Sequence, residues 1–292
     1  MSSEKFFTTK KALITLIAAS LVVIVSLGIR QTFGLFFFDF NADLNISISH
    51  FGFVIGLQLL MWGVFSPIFG FITDRYGGAT AIFVGFLFYL AGLFLFYSGL
   101  NTGYLFTLTI GLLIGIGLGG TAISIPVSVV AKHFPSSNRT IATGIVTCAG
   151  SFGFFVSPLL VRYSLIEIGW EITILYFCFL LGIGLITALF ISTPKTPVGN
   201  NDNNNQTAKE ALIEAFNNKS FIFLTLGFFV CGWHIALVAT HIPTYMMDRG
   251  MPDWTAAMIL ALVGVFNMIG TMGSGYLATK FSKKKVLSAI YL

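Results

Sequence analysis

The chain has 292 residues, of which 56% are hydrophobic and only 9% are charged. Soluble domains carry about 25% charged residues, so this composition excludes an ordinary water-soluble globular protein. The formal net charge is +5, and the basic residues lie in short connections between apolar blocks, which indicates membrane topology rather than nucleic-acid binding. The sequence has no nucleotide-binding loop, catalytic triad or cofactor motif, so we expect neither an enzyme nor a bound cofactor.

The apolar residues come in blocks of about twenty, which is the length that a helix needs to cross a bilayer. Backbone groups in lipid must be paired internally, so the fold class predicted is an all-α membrane bundle. The predicted full spans are residues 13–38, 51–72, 79–100, 104–131, 140–162, 171–192, 220–246 and 255–278. Lys283, Lys284 and Lys285 precede a short apolar stretch, which predicts a ninth span inside which the chain stops. The alternative is an eight-span protein with an apolar tail.

Charged residues in the connections predict the orientation of the spans. One side collects basic residues: Lys5, Lys10, Lys11, Arg75, Lys132, Arg139, Lys195, Lys209, Lys219, Lys280, Lys283, Lys284 and Lys285. The other side collects acidic residues: Asp39, Asp43, Glu167, Glu171, Asp248 and Asp253. Because basic loops remain in the cytoplasm, the N-terminus is predicted to be cytoplasmic in a multi-pass protein of the plasma (inner) membrane.

The longest connection follows the sixth span and divides the chain into three parts. Residues 193–218 include a polar run at residues 200–206 that has no means of burying a core. We therefore predict an N-terminal six-helix half at 1–192, a cytoplasmic linker at 193–218 and a partial C-terminal half at 219–292. Residues 210–216 are predicted to form a short surface helix.

A loop sequence occurs twice, once after the second span and once after the eighth. Residues 70–78 align with residues 275–283 without a gap, so that Gly70 pairs with Gly275 and Arg75 with Lys280. Six spans separate the two copies, and this spacing is typical of two parallel six-helix halves.

The first copy resembles the signature of the major facilitator superfamily, G-x-x-x-D-R-x-G, between the second and third helices. Gly70, Asp74, Arg75 and Gly77 carry this resemblance. It implies a gating role: Gly70 would allow close helix approach, the two charged residues would stabilise closure, and Gly77 would permit a tight turn. The second copy has Thr279 in place of the acid, so the charge-based gate is expected to be stronger in the first half.

Within that superfamily, the chain looks most like the bacterial monocarboxylate and oxalate–formate type branch. The residues that carry this likeness are Phe33, Gly34, Leu35, Phe36, Phe134, Pro135, Arg139, Ala142, Gly144, Gly150, Gly153, Pro158, the segment 231–234 and the segment 241–243. The resemblance implies secondary transport of a small organic anion by alternating access, with proton symport or exchange. The alternatives are a multidrug or metabolite exporter and a non-transporting membrane receptor or scaffold. The oligomeric state stays open.

Arg30 is the main candidate for substrate binding, because a charge inside a span is costly and usually faces a cavity or a partner. Its guanidinium can hold a carboxylate through two parallel hydrogen bonds. The alternative is an arginine that reaches water at the membrane surface. The offset between the loop copies (275 minus 70) places Arg30 opposite Ile235, beside His234. His234 and His241 share a helical face and suit proton-linked transport, but two histidines alone do not predict a metal site.

Uncharged polar residues in the spans are further candidates for substrate contact or for hydrogen bonds between helices: Gln58, Tyr245 and Asn267. The fourth span carries glycines that predict close helix packing: Gly111, Gly115, Gly117, Gly119 and Gly120. Arg162 at the outer end of the fifth span is predicted to be an interfacial anchor. Cys148, Cys178 and Cys231 lie in apolar blocks and predict neither a disulfide nor a metal site.

Overall fold

A computed structural model describes residues 10–192 and 208–291, and the regular structure in those residues is helical throughout, as predicted. The α-helices in chain order are α1 (Lys10–Gln31), α2 (Phe37–Leu44), α3 (Ile48–Tyr76), α4 (Gly78–Tyr97), α5 (Gly103–Phe106), α6 (Ile114–Thr121), α7 (Ser124–His133), α8 (Ser136–Ala188), α9 (Ala208–Asn217), α10 (Lys219–Asp248), α11 (Asp253–Lys280) and α12 (Lys283–Tyr291).

Two of the spans are built from more than one kind of helix. A 3-10 helix over Phe33–Phe36 joins α1 to α2, and Leu35 N–H donates to Thr32 O at 2.9 Å across its start. A π-helix over Thr107–Leu113 joins α5 to α6. Such departures from α geometry inside a long helix often mark functional sites. The first and fourth spans are therefore the least regular in the N-terminal half.

Within residues 10–192 and 208–291, seven helical segments are long and apolar enough to cross a membrane, against eight predicted spans. The difference lies in Asn138–Ala188, a segment of 51 residues. At about 1.5 Å per residue it measures roughly 75 Å, more than twice the thickness of a bilayer core. Gly169 breaks this helix with φ 79° and ψ 171°, so the predicted fifth and sixth spans lie on either side of the break.

The predicted linker is described only in part, because residues 193–207 lie outside the described residues. Its second part forms α9, which confirms the helix predicted at residues 210–216. Ile213 and Phe216 on this helix are exposed, as expected for a helix at a surface.

The two ends of the bundle differ in charge, and we name them accordingly. The basic end carries Lys10, Arg75 and Lys132, and the acidic end carries Asp39 and Asp43. α1 and α10 both start at the basic end, since Lys10 is the first residue of α1 and Lys219 is the first residue of α10.

A cluster of aromatic rings fills the acidic end of the N-terminal half. The Phe40 ring lies 5.2 Å from that of Phe96, 5.9 Å from Phe106 and 5.4 Å from Trp170, measured between centroids. Trp170 Nε1 donates to a carboxylate oxygen of Asp43 at 2.6 Å. These phenylalanines are fully buried core residues, so they form neither a drug pocket nor a lipid-facing surface.

The glycines of the fourth span lie where helix backbones meet, as predicted. A Cβ at Gly117 would come within 2.7 Å of Gly85 O in α4, and one at Gly115 within 2.6 Å of Gln58 O in α3. Because backbone atoms cannot rotate away, a larger side chain at either position would push α6 off its neighbours. α6 is therefore clamped between α3 and α4.

α10 packs on the N-terminal half through its acidic-end part. Ala239, Thr240, Pro243 and Thr244 are buried there, whereas residues 219–226 at the basic end are exposed. A cavity of about 130 Å³ lies between α3 and α10, and its lining includes Ile55, Leu59, Trp233, Leu237 and His241. The first and seventh spans are thus in contact at the acidic end and separate toward the basic end.

Candidate functional site

Arg30 lies in the last turn of α1 and is only 4% exposed. It is twenty residues from the start of α1, which places it about 30 Å along the helix at about 1.5 Å per residue. Among the residues that the structure describes, its Nε and Nη2 atoms have no hydrogen-bond partner. The side chain is therefore enclosed by protein and does not reach water at the membrane surface.

Polar side chains of α1, α4 and α6 meet at Ser26, one helical turn before Arg30. The Tyr89 hydroxyl donates to Ser26 O at 3.4 Å, one helical turn before Arg30, and the phenol lies within electrostatic range of the guanidinium. The Ser26 and Thr121 hydroxyl oxygens are 2.7 Å apart. Thr121 donates to Gly117 O at 3.0 Å, so Ser26 must be the donor in the Ser26–Thr121 bond. The tyrosine and serine hydroxyls thus donate to other groups, and within the described residues neither oxygen accepts from Nε or Nη2 of Arg30.

Gln58 is fully buried in α3, and its side chain has a fixed orientation. Its Nε2 donates to Ile110 O in the π-helix at 2.9 Å. A carbonyl oxygen can only accept, so the other amide atom of Gln58 must be the oxygen, an acceptor. Within the described part of the chain, this Oε1 atom has no donor. Gln58 therefore acts as a link between helices and carries one unused acceptor.

Gln31 was not selected from the sequence, although it follows Arg30 directly. It is 1% exposed, and in residues 10–192 and 208–291 neither atom of its amide has a hydrogen-bond partner. A polar side chain in an apolar span can itself indicate a functional residue. The prediction rested on the adjacent charge of Arg30 instead. The structure thus adds a second unsatisfied polar group to the same helical turn.

The repeat relation has a direct counterpart at Gly34. A Cβ at Gly34 would meet Ala239 O and lie 3.2 Å from Thr240 O, so α10 crosses the first span here. The 205-residue offset of the loop copies (275 minus 70) pairs Gly34 with Ala239, so these two positions are equivalents in contact. On the predicted repeat, two equivalent residues that touch would lie close to the axis that relates the copies. Gly34 follows Arg30 by four residues.

The candidates of the C-terminal half lie apart from the buried groups around Arg30. His234, His241 and Tyr245 are exposed on α10, and Asn267 is half-buried on α11. His241 faces α3, where a Cβ at Gly52 would lie 3.5 Å from its ring. Arg30 and Gln58 are buried within the N-terminal half, so the predicted residues do not form one enclosed cluster in this structure.

Arg162, predicted as an interfacial anchor, is half-buried at the acidic end. It lines a cavity of about 110 Å³ together with Asp39, Leu165 and Met247. Within the described residues its Nε atom has no hydrogen-bond partner. The side chain thus faces a small internal space beside an acid.

The loop signature has the predicted turn and a specific ion pair. Gly77 adopts φ 96° and ψ 153°, a conformation that favours glycine. Lys132 Nζ lies 2.9 Å from Asp74 Oδ1, which joins the end of α3 to the end of α7. Arg75 lies over the Tyr76 ring at 5.5 Å from its centroid. Among the residues that the structure describes, a Cβ at Gly70 would meet nothing within 4 Å, so the close helix approach expected there is absent from this conformation.

Asp74→Asn is expected to reduce transport per inserted molecule by roughly two- to fivefold, with little change in stability. The reason is that exposed ion pairs contribute about 0–1 kcal/mol, and this pair is 34% and 74% exposed. The measurement is uptake by the complete protein, normalised to the amount inserted. The charge-swapped protein with Asp74→Lys and Lys132→Asp is the control and should recover part of the loss. Equal uptake by Asp74→Asn and the wild type would contradict a gating role.

Comparisons with known proteins agree with this architecture. A crystal structure of a D-xylose-proton symporter superposes with a TM-score of 0.63 at 16% identity, covering 92% of this chain and 69% of that chain. The agnestins efflux protein AgnL12 of Paecilomyces divaricatus is 24% identical over 284 residues, which are 96% of this chain and 63% of that protein. The hexuronate transporter of Bacillus subtilis (strain 168) is 24% identical over 259 residues, 83% of this chain and 58% of that protein.

The chain thus spans between 58% and 63% of the length of these two curated relatives. The model of one protein family, described as the Major Facilitator Superfamily, matches residues 19–292, nearly the whole chain. This match agrees with the helical architecture and with the doubled loop signature. The chain is a multi-pass membrane protein that belongs to the Major Facilitator Superfamily.

Proposed function

We propose that the complete protein is a secondary active transporter of small organic anions, such as monocarboxylates, that works by alternating access. One observation carries this proposal: Arg30 is a buried guanidinium whose Nε and Nη2 find no acceptor within the described residues. A buried neutral donor without a partner costs about 1–3 kcal/mol, and a charged donor costs more. A ligand that supplies a carboxylate at this point removes the cost and pairs the charge.

The relatives support an anionic substrate only in part. Hexuronate, which the name of the Bacillus subtilis relative specifies, is a carboxylate, and this agrees with a guanidinium in the binding site. The two-half arrangement, with the boundary in residues 193–218, fits a site near the axis between α1 and α10. Proton symport and anion exchange are both compatible with Arg30, and His234 or His241 would serve as the proton site in the first case.

Efflux is the second candidate, because the Paecilomyces divaricatus relative is named as an efflux protein. A 440 Å³ cavity between α1 and α8 is lined mainly by apolar residues, including Ile29, Phe152 and Phe177. An apolar metabolite would fit such a lining, whereas a small anion would gain nothing from it.

Ligand-induced stabilisation of the purified complete protein separates these two candidates. A ligand that binds only the folded state raises the unfolding midpoint with concentration. Lactate and propionate should raise the midpoint, the neutral lactamide and propionamide should not, and Arg30→Gln should abolish the effect. Stabilisation by apolar, uncharged compounds without an effect of carboxylates would favour efflux and overturn the proposal.

The basic end is proposed to face the cytoplasm. Cysteine labelling in intact cells measures this directly, with a cysteine in place of Asn203 and the native cysteines replaced by serine. We expect an impermeant reagent to label position 203 only after the membrane is opened, because basic loops stay on the cytoplasmic side. Labelling at position 203 in intact cells would contradict this orientation.

A further inference from the structure

The amide of Gln31 is a buried polar group with no assigned role. It is 1% exposed, and among residues 10–192 and 208–291 neither Nε2 nor Oε1 has a partner. This holds whichever of the two amide atoms is the oxygen, because neither atom has a hydrogen-bond partner. An amide needs both a donor and an acceptor opposite it. A buried amide that lacks both is costly unless a ligand supplies them.

Gln31 lies on α1 between a glycine that meets α8 and a glycine that meets α10. Gly28 meets α8, since a Cβ there would lie 3.4 Å from Gly153 O. Gln31 is three residues further along α1. At about 100° per residue, three residues rotate by about 300°, so Gln31 lies about 60° from the direction of α8. Gly34 lies in the 3-10 helix that follows α1, and it meets α10.

Arg30 and Gln31 are therefore neighbours that can hold one ligand from two sides. Their directions differ by about 100° around α1, and helical side chains lean toward the N-terminus of their helix, here the basic end. Arg30 offers donors only, whereas Gln31 offers a donor and an acceptor. The unused Oε1 of Gln58 is a second buried amide oxygen in the same half, with its orientation fixed by Ile110.

Arg30 and Gln31 need different hydrogen-bond partners from a ligand. The Arg30 guanidinium needs acceptors, which any carboxylate supplies. The Gln31 oxygen needs an O–H or N–H donor, which a deprotonated carboxylate without further polar groups lacks. A hydroxyl on the carbon next to the carboxylate provides the donor and a further acceptor at once. A carboxylate without this hydroxyl would leave the Gln31 oxygen buried without a hydrogen-bond donor, which is costly.

We infer that Gln31 is a specificity-determining residue that makes the Arg30 site select carboxylates bearing a hydroxyl group over carboxylates that lack one. This inference rests on the proposed function, because it assumes that the anion binds at Arg30. Sites built to hydrogen-bond a hydroxyl discriminate strongly against analogues that lack it, since their own polar groups remain unpaired.

The test compares two pairs of carboxylates that differ by one hydroxyl: lactate with propionate, and glycolate with acetate. Uptake of each labelled compound is measured in proteoliposomes that contain the complete protein. We expect the hydroxylated member of each pair to bind at least about tenfold more tightly, which corresponds to about 1.4 kcal/mol. Gln31→Leu should remove this ratio by weakening the hydroxylated member. Thr32→Val is the matched control, because the Thr32 hydroxyl donates within its helix to Ile29 O at 2.8 Å, and it should keep the ratio.

Each outcome separates this inference from the proposed function. If the wild type takes up both members of a pair equally and Arg30→Lys weakens both, the selection by Gln31 is overturned and the anion site remains. If the ratio persists in Gln31→Leu, the role of Gln31 is overturned even though the preference is real. If no carboxylate is taken up, the proposed function itself is overturned. If Gln31→Leu does not fold, Gln31→Met takes its place, because methionine has a similar length but no amide, and it should remove the ratio in the same way.

Discussion

Arg30→Lys is expected to lower the affinity for a small carboxylate by roughly ten- to a hundredfold while leaving membrane insertion unchanged. The charge remains, but lysine lacks the planar fork that forms two parallel hydrogen bonds to one carboxylate. A hydrogen bond to a charged group contributes about 1.5–3 kcal/mol, and about 1.4 kcal/mol is a factor of ten. Arg30→Gln should bind more weakly still, because it also removes the charge. The measurement is competition by unlabelled lactate against labelled lactate uptake.

Arg139→Lys is the matched control for that substitution, because Arg139 is exposed at the basic end. It should leave the affinity at the wild-type value. Wild-type affinity in Arg30→Lys would show that the fork is not used and would remove Arg30 from the proposed binding site. The fold would be unaffected by that result, since neither the loop repeat nor the span pattern depends on Arg30.

Gly264→Leu is expected to abolish most of the transport activity and to lower the stability of the protein. A Cβ at Gly264 would fall on the backbone of α8, 2.7 Å from the carbonyl carbon of Phe154 and 2.7 Å from the Cα of Phe155. Overpacking of this kind costs about 1–3 kcal/mol even where side chains can move, and here the obstacle is backbone. Because α8 precedes and α11 follows the predicted linker, the substitution should force the two proposed halves apart where the proposed alternating access needs them in contact.

The matched control for Gly264→Leu is Gly182→Leu, because a Cβ at Gly182 would meet nothing within 4 Å. Uptake normalised to inserted protein and the thermal unfolding midpoint are measured for both variants. The control should resemble the wild type in both measurements. Wild-type uptake by Gly264→Leu would mean that the close contact between α8 and α11 is not maintained during transport.

Much of the fold could be predicted from the sequence because span length and hydropathy are set by the bilayer itself. The glycines of the fourth span were also informative, since small residues in a span have few purposes other than close packing. The sharp turn at Gly169 between the fifth and sixth spans was not predictable in detail, because the sequence predicts a connection there but not its backbone conformation. The contact of Trp170 with Asp43 was equally hidden, because 127 residues separate the partners.

The candidate site was predicted less completely than the fold. Arg30 was identified because a charge in an apolar span is rare, and the structure places it in a buried position. Asp74 was recognised from its loop signature, but its partner Lys132 lies 58 residues away and only the folding of α7 brings it near. Gln31 was not predicted because the sequence alone does not show whether a buried polar atom has a hydrogen-bond partner. That property depends on every neighbouring helix.

The most direct test of anion transport is uptake of labelled lactate into proteoliposomes that contain the purified complete protein. We expect saturable uptake that unlabelled lactate inside the vesicles accelerates, and that Arg30→Gln reduces to the level of protein-free vesicles. Uptake by the wild type at the level of protein-free vesicles, for lactate and for the other carboxylates alike, would contradict transport of small organic anions by this protein.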